Sequence, residues 1–189
     1  KESPVSPLDE DQLPNTKKGY RGIHSPYLYY SSGRFGVPFA MHKEDMGLAS
    51  VNYLHWGAPK VWMVVSPDHE KRFEDAVAKY YPITKGINCS QRIRYLGLFV
   101  CPVFLDKASI QYSLILQQPG DLIITFAGAY HQGFNVGANM AEAVNYAWTG
   151  WTPKAVECVR GQCGLEEHDP LLLEGFQICR SQDLGQIWE

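Results

Sequence analysis

Phe39-Ala40-Met41-His42-Lys43-Glu44 is the most informative run in this chain, because it sets a histidine and a carboxylate two residues apart in a β-prone segment. In an extended segment the side chains alternate between two faces, so His42 and Glu44 point to the same side. A further histidine, His131, lies far downstream. Two imidazoles and one carboxylate predict a metal site that leaves three positions open, as in the non-haem Fe(II) oxygenases. The alternative is a surface histidine beside a solvated glutamate, since such pairs are common by chance.

Composition and charge restrict the class of protein. A chain of 189 residues is long enough for one domain with a single sizeable core. Its hydrophobic content of 45% and aromatic content of 13% fit a globular, β-rich chain. A formal net charge of -3 argues against a general DNA-binding surface and suits a basic peptide partner. No apolar run approaches the roughly 18 residues of a membrane span. The five cysteines lack the spacing of a disulfide framework, which favours a reducing compartment.

Short β-prone runs separated by glycine and proline follow one another from residue 27 onward. We predict strands at residues 27–31, 39–44, 49–55, 61–66, 122–126, 133–136 and 143–148. Two further runs, 96–101 and 110–116, are predicted as extended or short helical pieces. Apolar residues at helical spacing predict one helix over residues 68–81. Many short strands with a flanking helix are typical of a barrel or jelly roll, although strand count alone does not separate these folds from a sandwich.

The two ends of the chain differ from this pattern. Residues 1–18 are polar, contain three prolines and show no apolar periodicity, so we predict a linker or flexible N-terminal segment. Residues 161–189 are polar, and we predict a C-terminal helical extension there. The β-rich domain is therefore expected to span residues 19–160.

Residues 38–62 closely resemble the core of the Jumonji C (JmjC) histone lysine demethylases. The resemblance resumes at residues 118–121 and continues through Tyr130-His131 to residues 141–145, so that it covers roughly residues 22 to 160. Residues 39–46 are closest to the demethylases that erase heterochromatin marks. Residues 141–145, together with the spacing of Trp151 and Cys158, look more like the JARID-type enzymes that erase promoter marks.

The resemblance implies an all-β fold with flanking helices, namely the double-stranded β-helix of the jelly-roll and cupin proteins. It places the JmjC catalytic barrel in residues 19–160. In the family, substantial sequence precedes the segment that matches residues 22–29, including early strands and a tyrosine that helps to hold the co-substrate. We expect these upstream strands to be missing from this chain.

The resemblance also assigns a metal ion and a co-substrate. His42, Glu44 and His131 would hold Fe(II), and 2-oxoglutarate would bind beside it. Lys60 matches the family cation that pairs with the distal carboxylate of 2-oxoglutarate, an interaction about twice as strong as a neutral hydrogen bond. In the family, a tyrosine from the upstream strands also binds this distal carboxylate. Because we expect those strands to be missing here, no residue is assigned as the second donor. The alternative for Lys60 is a solvated lysine after a proline turn.

Three further residues match positions around 2-oxoglutarate. Asn52 matches an asparagine that hydrogen-bonds the carboxylate nearest the iron. Phe39 and Trp62 match aromatic residues that line the carbon chain of the co-substrate. Aromatic residues of this kind are more often part of a hydrophobic core, which is the alternative for both.

The residues that match the methyl-lysine pocket of the family are Tyr29, Tyr27, Gly22, Ala143 and Val144. Aromatic faces and carbonyl oxygens accommodate a methylated ammonium well. Ala143 and Val144 stand where some members carry small hydroxyl residues, which makes the pocket more apolar. Asp45 extends the acidic edge begun by Glu44 and would suit a basic peptide. The alternative for the two tyrosines is an ordinary aromatic strand.

The activity that the resemblance implies is oxidative demethylation of methyl-lysine in histone H3 tails, with release of formaldehyde, succinate and carbon dioxide. The expected partners are the methylated histone H3 tail and chromatin, the expected location is the nucleus, and no DNA-binding surface or membrane is implicated. Two alternatives stay open. One is a catalytically silent chromatin-binding module, and the other is a protein hydroxylase that uses the same iron centre.

A zinc site is a further possibility. The spacing Cys158-x4-Cys163-x4-His168, with Cys89 as a fourth ligand, partly matches a zinc site of some heterochromatin-type relatives. Their histidine falls here on Tyr95, and their close cysteine pair is replaced by a wider one. Structural zinc usually takes tightly spaced ligand pairs. We therefore favour free cysteines packed as small apolar residues.

Overall fold

Two four-stranded antiparallel sheets form the body of the protein. The structure, a computed structural model, describes residues 3–15, 23–82 and 91–152. The strands are β1 (Tyr27–Ser31), β2 (Val37–His42), β3 (Ala49–Gly57), β4 (Lys60–Val65), β5 (Tyr112–Gln117), β6 (Leu122–Thr125), β7 (His131–Asn135) and β8 (Asn139–Tyr146). One sheet has the order β1-β8-β3-β6 and the other β2-β7-β4-β5. This exchange of strands between two facing sheets is the jelly-roll arrangement, and it confirms the predicted fold class.

The predicted strands are all found, with ends shifted by a few residues. The run 110–116 is strand β5, and the predicted helix is α1 (Glu70–Tyr80), which follows a 3-10 turn at Pro67–His69. Two short helices, α2 (Arg92–Tyr95) and α3 (Pro102–Lys107), were not predicted as separate elements. They are too short for apolar periodicity to reveal them, although the proline at the start of α3 is a common first residue of a helix.

The main hydrophobic core lies outside the sheets rather than between them. Helices α1 to α3 cover the outer face of the β2-β7-β4-β5 sheet, where Phe73 and Val77 of α1 pack with Met63 and Val65 of β4. Leu105 of α3 is fully buried in the same cluster. The space between the two sheets is consequently left for polar side chains. Within the described ranges, no helix has the length and apolar character needed to cross a membrane.

The N-terminal segment packs against the outer face of the other sheet. Val5 is fully buried in a cluster with Val51 and Val144, and the backbone NH of Gln12 donates to the carbonyl of Ala147 at 2.8 Å. The sequence predicted a linker or flexible segment over residues 1–18, whereas residues 3–15 are packed on the sheet. Isolated apolar residues anchor this segment, and isolated residues give no periodic signal. The predicted extension at 161–189 lies outside the described residues.

Gly133 allows β7 to pass close to two neighbours. A Cβ atom at this position would overlap the carbonyl oxygen of Val61 and the ring of Phe39. The backbone of Gly133 does not have a positive φ, so the close approach alone requires glycine. Any side chain here would push Phe39 out of its place or separate β7 from β4.

We predict that Gly133→Ala destabilises the protein by about 3 kcal/mol or more, because backbone atoms cannot move away as a flexible side chain could. The matched control is Gly36→Ala, where a Cβ meets no atom within 4 Å but φ is +81°. That variant should lose only about 1–2 kcal/mol, the strain of a left-handed conformation. Urea denaturation measures both, and equal losses would contradict the close-approach explanation.

Candidate metal centre

The pairing of β2 with β7 brings the predicted metal ligands together. His42 at the end of β2 is the register partner of His131 at the start of β7. Glu44 follows with extended backbone, φ -69° and ψ 150°, so its side chain returns to the side of His42. The ligand atoms of His42, Glu44 and His131 all lie within 4.8 Å of one another.

A shift of register in β2 makes this arrangement possible. Phe39 and His42 are three residues apart, and strict alternation would point them to opposite faces of the sheet. The pairing of β2 with β7 shifts between these two residues, as in a β-bulge. Phe39 and His42 consequently line the same cavity.

Hydrogen bonds to backbone carbonyls orient both imidazole rings. Nδ1 of His42 lies 2.7 Å from the carbonyl oxygen of Ala40, and Nδ1 of His131 lies 2.9 Å from that of Ala129. A carbonyl oxygen only accepts, so each Nδ1 carries a proton, and in the neutral form of either ring Nε2 is the nitrogen that keeps a lone pair. The Nε2 atoms of His131 and His42 lie 3.4 and 3.9 Å from Oε1 of Glu44.

Asn145 holds the other oxygen of Glu44. Its side-chain NH2 group donates to Oε2 of Glu44 at 2.8 Å and to the carbonyl of Ala49 at 3.2 Å. Oε1 is thereby left for a metal ion. The sequence analysis gave Asn145 no role, and the only available signal was its place in the matching run 141–145. Outer-shell hydrogen bonds of this type orient metal ligands.

The protonation states suit a divalent cation. Burial, followed by the proximity of His131, lowers the pKa of His42 to about 4, so the ring is neutral near pH 7. Burial alone would raise the pKa of Glu44, but interactions with His131, His42 and Asn145 outweigh burial and lower it to about 2. Neutral imidazoles with an ionised carboxylate are the forms that bind metals. This donor set fits Fe(II).

A cavity of about 290 Å³ extends from these three residues between the two sheets. Its lining includes all four residues predicted to contact 2-oxoglutarate: Lys60, Asn52, Phe39 and Trp62. Phe39 and Trp62 form an edge-to-face pair with ring centroids 4.8 Å apart. The structure therefore places the predicted co-substrate residues beside the predicted metal ligands.

Lys60 is a buried cation on this cavity. Its side-chain nitrogen donates to Oδ1 of Asn135 at 2.5 Å, and no carboxylate of the described residues forms an ion pair with it. Burial lowers the pKa of Lys60 to about 8. Burying an ammonium group without a counter-charge is unfavourable, so this position favours an anion in the cavity.

A chain of hydrogen bonds fixes the amide of Asn52. The indole NH of Trp62 only donates, and it donates to Oε1 of Gln117 at 2.9 Å. The NH2 group of Gln117 must then donate in turn, and it lies 3.1 Å from the carbonyl oxygen of Asn52, 3.2 Å from that of Asp121 and 3.3 Å from Oδ1 of Asn52. Gln117 thus holds the backbone and the side chain of Asn52, which lines the cavity. Gln117 is fully buried and was missed by the sequence analysis, because its role depends on strands that meet only in the fold.

Comparison with known proteins identifies the family. Residues 29–146 match the family described as "JmjC domain, hydroxylase". This match covers more than half of the chain. The chain belongs to the JmjC family.

Three relatives of this JmjC domain are named as lysine-specific demethylases. Probable lysine-specific demethylase 4F of Homo sapiens is 38% identical over 168 residues, which cover 89% of this chain and 26% of that protein. Lysine-specific demethylase 4B of Mus musculus is 39% identical over 140 residues, 72% of this chain and 13% of that protein. Lysine-specific demethylase 4D of Rattus norvegicus is 37% identical over 168 residues, which cover 89% of this chain and 32% of that protein. The chain thus spans less than a third of each relative.

The predicted substrate residues of the JmjC domain are only partly brought to the cavity. Tyr29, Ala143 and Val144 line it, whereas Tyr27 stands edge-on to Tyr29 with ring centroids 6.4 Å apart. Burial, followed by the charge of Glu44, raises the pKa of Tyr29, so its hydroxyl stays protonated.

Other predicted site residues lie elsewhere. The carboxylate of Asp45 pairs with Arg94 at 3.0 Å, and Asp45 is not among the residues that line the cavity. Gly22 lies outside the described residues. So do the four candidate zinc ligands, Cys89, Cys158, Cys163 and His168.

We predict that the JmjC domain binds one divalent ion through His42, Glu44 and His131, and that His42→Ala and His131→Ala each abolish binding. Mn(II) binding followed by electron paramagnetic resonance gives the stoichiometry. His55→Ala is the matched control, since His55 pairs with Glu142 at 2.9 Å and does not line the cavity. Unchanged stoichiometry in both ligand variants would show that the ion binds elsewhere.

Proposed function

We propose that this JmjC domain is an Fe(II)- and 2-oxoglutarate-dependent dioxygenase that demethylates methyl-lysine in histone H3 tails. The observation that carries the proposal is one cavity that holds both the His42, Glu44 and His131 set and a buried Lys60, which has no carboxylate partner among the described residues. A metal site alone would fit many functions. The added cation selects a small co-substrate with a carboxylate at the end away from the metal.

Fe(II), with 2-oxoglutarate and dioxygen, supplies the oxidising power for removal of an N-methyl group as formaldehyde, while 2-oxoglutarate becomes succinate and carbon dioxide. The protein positions 2-oxoglutarate and keeps water away from it. Asn52, which lines the cavity, would donate a hydrogen bond from its side-chain NH2 group to the carboxylate nearest the metal. Phe39 and Trp62 exclude water from the carbon chain, and Lys60 neutralises the far carboxylate.

Ser31 is the residue that we assign as the second donor to the far carboxylate. Its hydroxyl is buried, lines the cavity and has no hydrogen-bond partner in the described part of the chain. Ser31 is the register partner of Asn139, whose NH2 group donates to Oδ1 of Asn135 at 3.0 Å. The same oxygen accepts from Lys60. An unpaired buried hydroxyl is unfavourable, and a carboxylate that accepted from Ser31 and Lys60 would satisfy both.

Tyr29 provides the substrate side of the cavity. Its ring is half exposed on the edge strand β1, so a side chain can enter between this ring and the metal ligands. An aromatic face attracts a methylated ammonium group. Ala143, on the neighbouring strand β8, adds an apolar side chain to the cavity lining beside β1. The names of the relatives support methyl-lysine as the target and, with it, a nuclear protein that acts on chromatin.

We predict that Lys60→Ala weakens 2-oxoglutarate binding by about 3–5 kcal/mol, because the distal carboxylate would be buried without its partner. Calorimetric titration with Mn(II) in place of iron measures this, with the exposed Lys107→Ala as control. In wild type the affinity should be constant below about pH 8 and fall above it, as the ammonium form of Lys60 is lost. Equal affinity in wild type and Lys60→Ala would exclude this role.

The same titration tests Ser31. Loss of one hydrogen bond to a charged carboxylate predicts a weakening of about 1.5–3 kcal/mol in Ser31→Ala. Ser32→Ala, which removes the adjacent exposed hydroxyl, should bind as wild type does. Identical affinities for the two serine variants would remove Ser31 from the site.

The activity itself is tested by mass spectrometry of methylated histone H3 peptides with iron, ascorbate and 2-oxoglutarate. We expect loss of methyl groups that depends on 2-oxoglutarate and disappears in His131→Ala. Addition of one oxygen without methyl loss would favour a protein hydroxylase, in keeping with the family description. No change on any peptide would favour a silent chromatin-binding module.

A further inference from the structure

A buried cluster of charged residues lies behind the metal ligands, on the side away from the cavity. Its centre is Lys43, the residue between His42 and Glu44. The side-chain nitrogen of Lys43 lies 2.5 Å from Glu70 and 3.0 Å from Glu74, both on α1. The side chains of Lys43 and Glu74 are only 13% and 16% exposed, so this pair is not a solvated surface contact.

Glu74 also reaches the second metal-binding segment. The hydroxyl of Tyr130 donates to Oε1 of Glu74 at 2.8 Å, and Tyr130 immediately precedes His131. The ring of Tyr130 lies under the Lys43 ammonium, 5.1 Å from centroid to nitrogen. One carboxylate oxygen of Glu74 thus accepts from both segments that carry metal ligands. The other oxygen accepts from Arg92 at 2.5 Å.

Helix α2 holds the same loop through Arg94. Arg94 donates to the backbone carbonyl of Lys43 at 2.8 Å and to the carboxylate of Asp45 at 3.0 Å. The two residues that flank Glu44 are therefore both anchored. This anchoring is needed because β2 ends at His42, and no ladder hydrogen bond fixes the backbone at Glu44.

We infer that Glu74 is a positioning residue for the metal centre, which it sets by tying Lys43 and Tyr130 to helix α1. Glu74 does not touch the metal ligands itself. It fixes the distance between the loop that carries Glu44 and the strand that carries His131. The inference rests on the proposed metal site, and it goes beyond that proposal because it makes metal affinity depend on a helix outside the barrel.

Glu74→Gln is the test, because it keeps the shape of the side chain and removes its charge. We expect Mn(II) affinity to fall about 10- to 100-fold, the range seen when outer-shell partners of metal ligands are changed. Asp75→Asn is the matched control on the same helix, since Asp75 pairs with Lys71 in an exposed i,i+4 contact. That control should bind Mn(II) as wild type does.

A second control separates positioning from simple loss of stability. Val77→Ala removes buried apolar volume from α1 and changes none of the charged or hydrogen-bonding groups of the cluster, so it should lower the melting temperature and leave Mn(II) affinity unchanged. The inference is overturned if Glu74→Gln binds Mn(II) as tightly as wild type, or if Val77→Ala loses affinity to the same extent. Absence of Mn(II) binding in wild type would instead overturn the proposed metal site.

Discussion

The antiparallel pairing of β2 with β7 is the constraint on which the rest of this structure depends. It sets His42 opposite His131 across the ladder, and the shift of register within β2 lets Phe39 share the cavity with His42. A slip of one residue would send the side chains of a strand to the opposite face. Gly133 keeps β7 close to β4 and to the ring of Phe39, so the same strand that carries a metal ligand also fixes one wall of the cavity.

The interior between the sheets is polar, and most of its buried polar side chains have hydrogen-bond partners, whereas the hydroxyl of Ser31 has none among the described residues. Gln117 links Trp62 to Asn52, Asn145 holds Glu44, and Asn135 accepts from Lys60. Burying polar groups is unfavourable unless they are paired. The stability of the fold therefore depends on the apolar clusters outside the sheets, under α1 to α3 and under residues 3–15. Most side chains that line the cavity therefore lie outside these apolar clusters.

Features that depend on local sequence could be predicted. The period of two placed His42 and Glu44 on one side, and the β-prone runs gave the strands of both sheets. Features that depend on the register of distant strands could not. The role of Gln117 requires β5 to lie beside β4, and that of Glu74 requires α1 to pack behind Lys43. Asp45 is the converse case, since its acidity suggested a peptide-binding edge but Arg94 lies close enough in the fold to pair with it.

The central claim is that one cavity holds a metal ion at one end and a carboxylate at the other. The most direct measurement is a crystal structure with Mn(II) and 2-oxoglutarate, with anomalous data collected at the manganese edge. We expect one anomalous peak, from a manganese ion bound by Nε2 of His42, Nε2 of His131 and the carboxylate of Glu44. The co-substrate should extend from this ion to Lys60. A peak at other residues, or 2-oxoglutarate with its far carboxylate away from Lys60, would contradict the account.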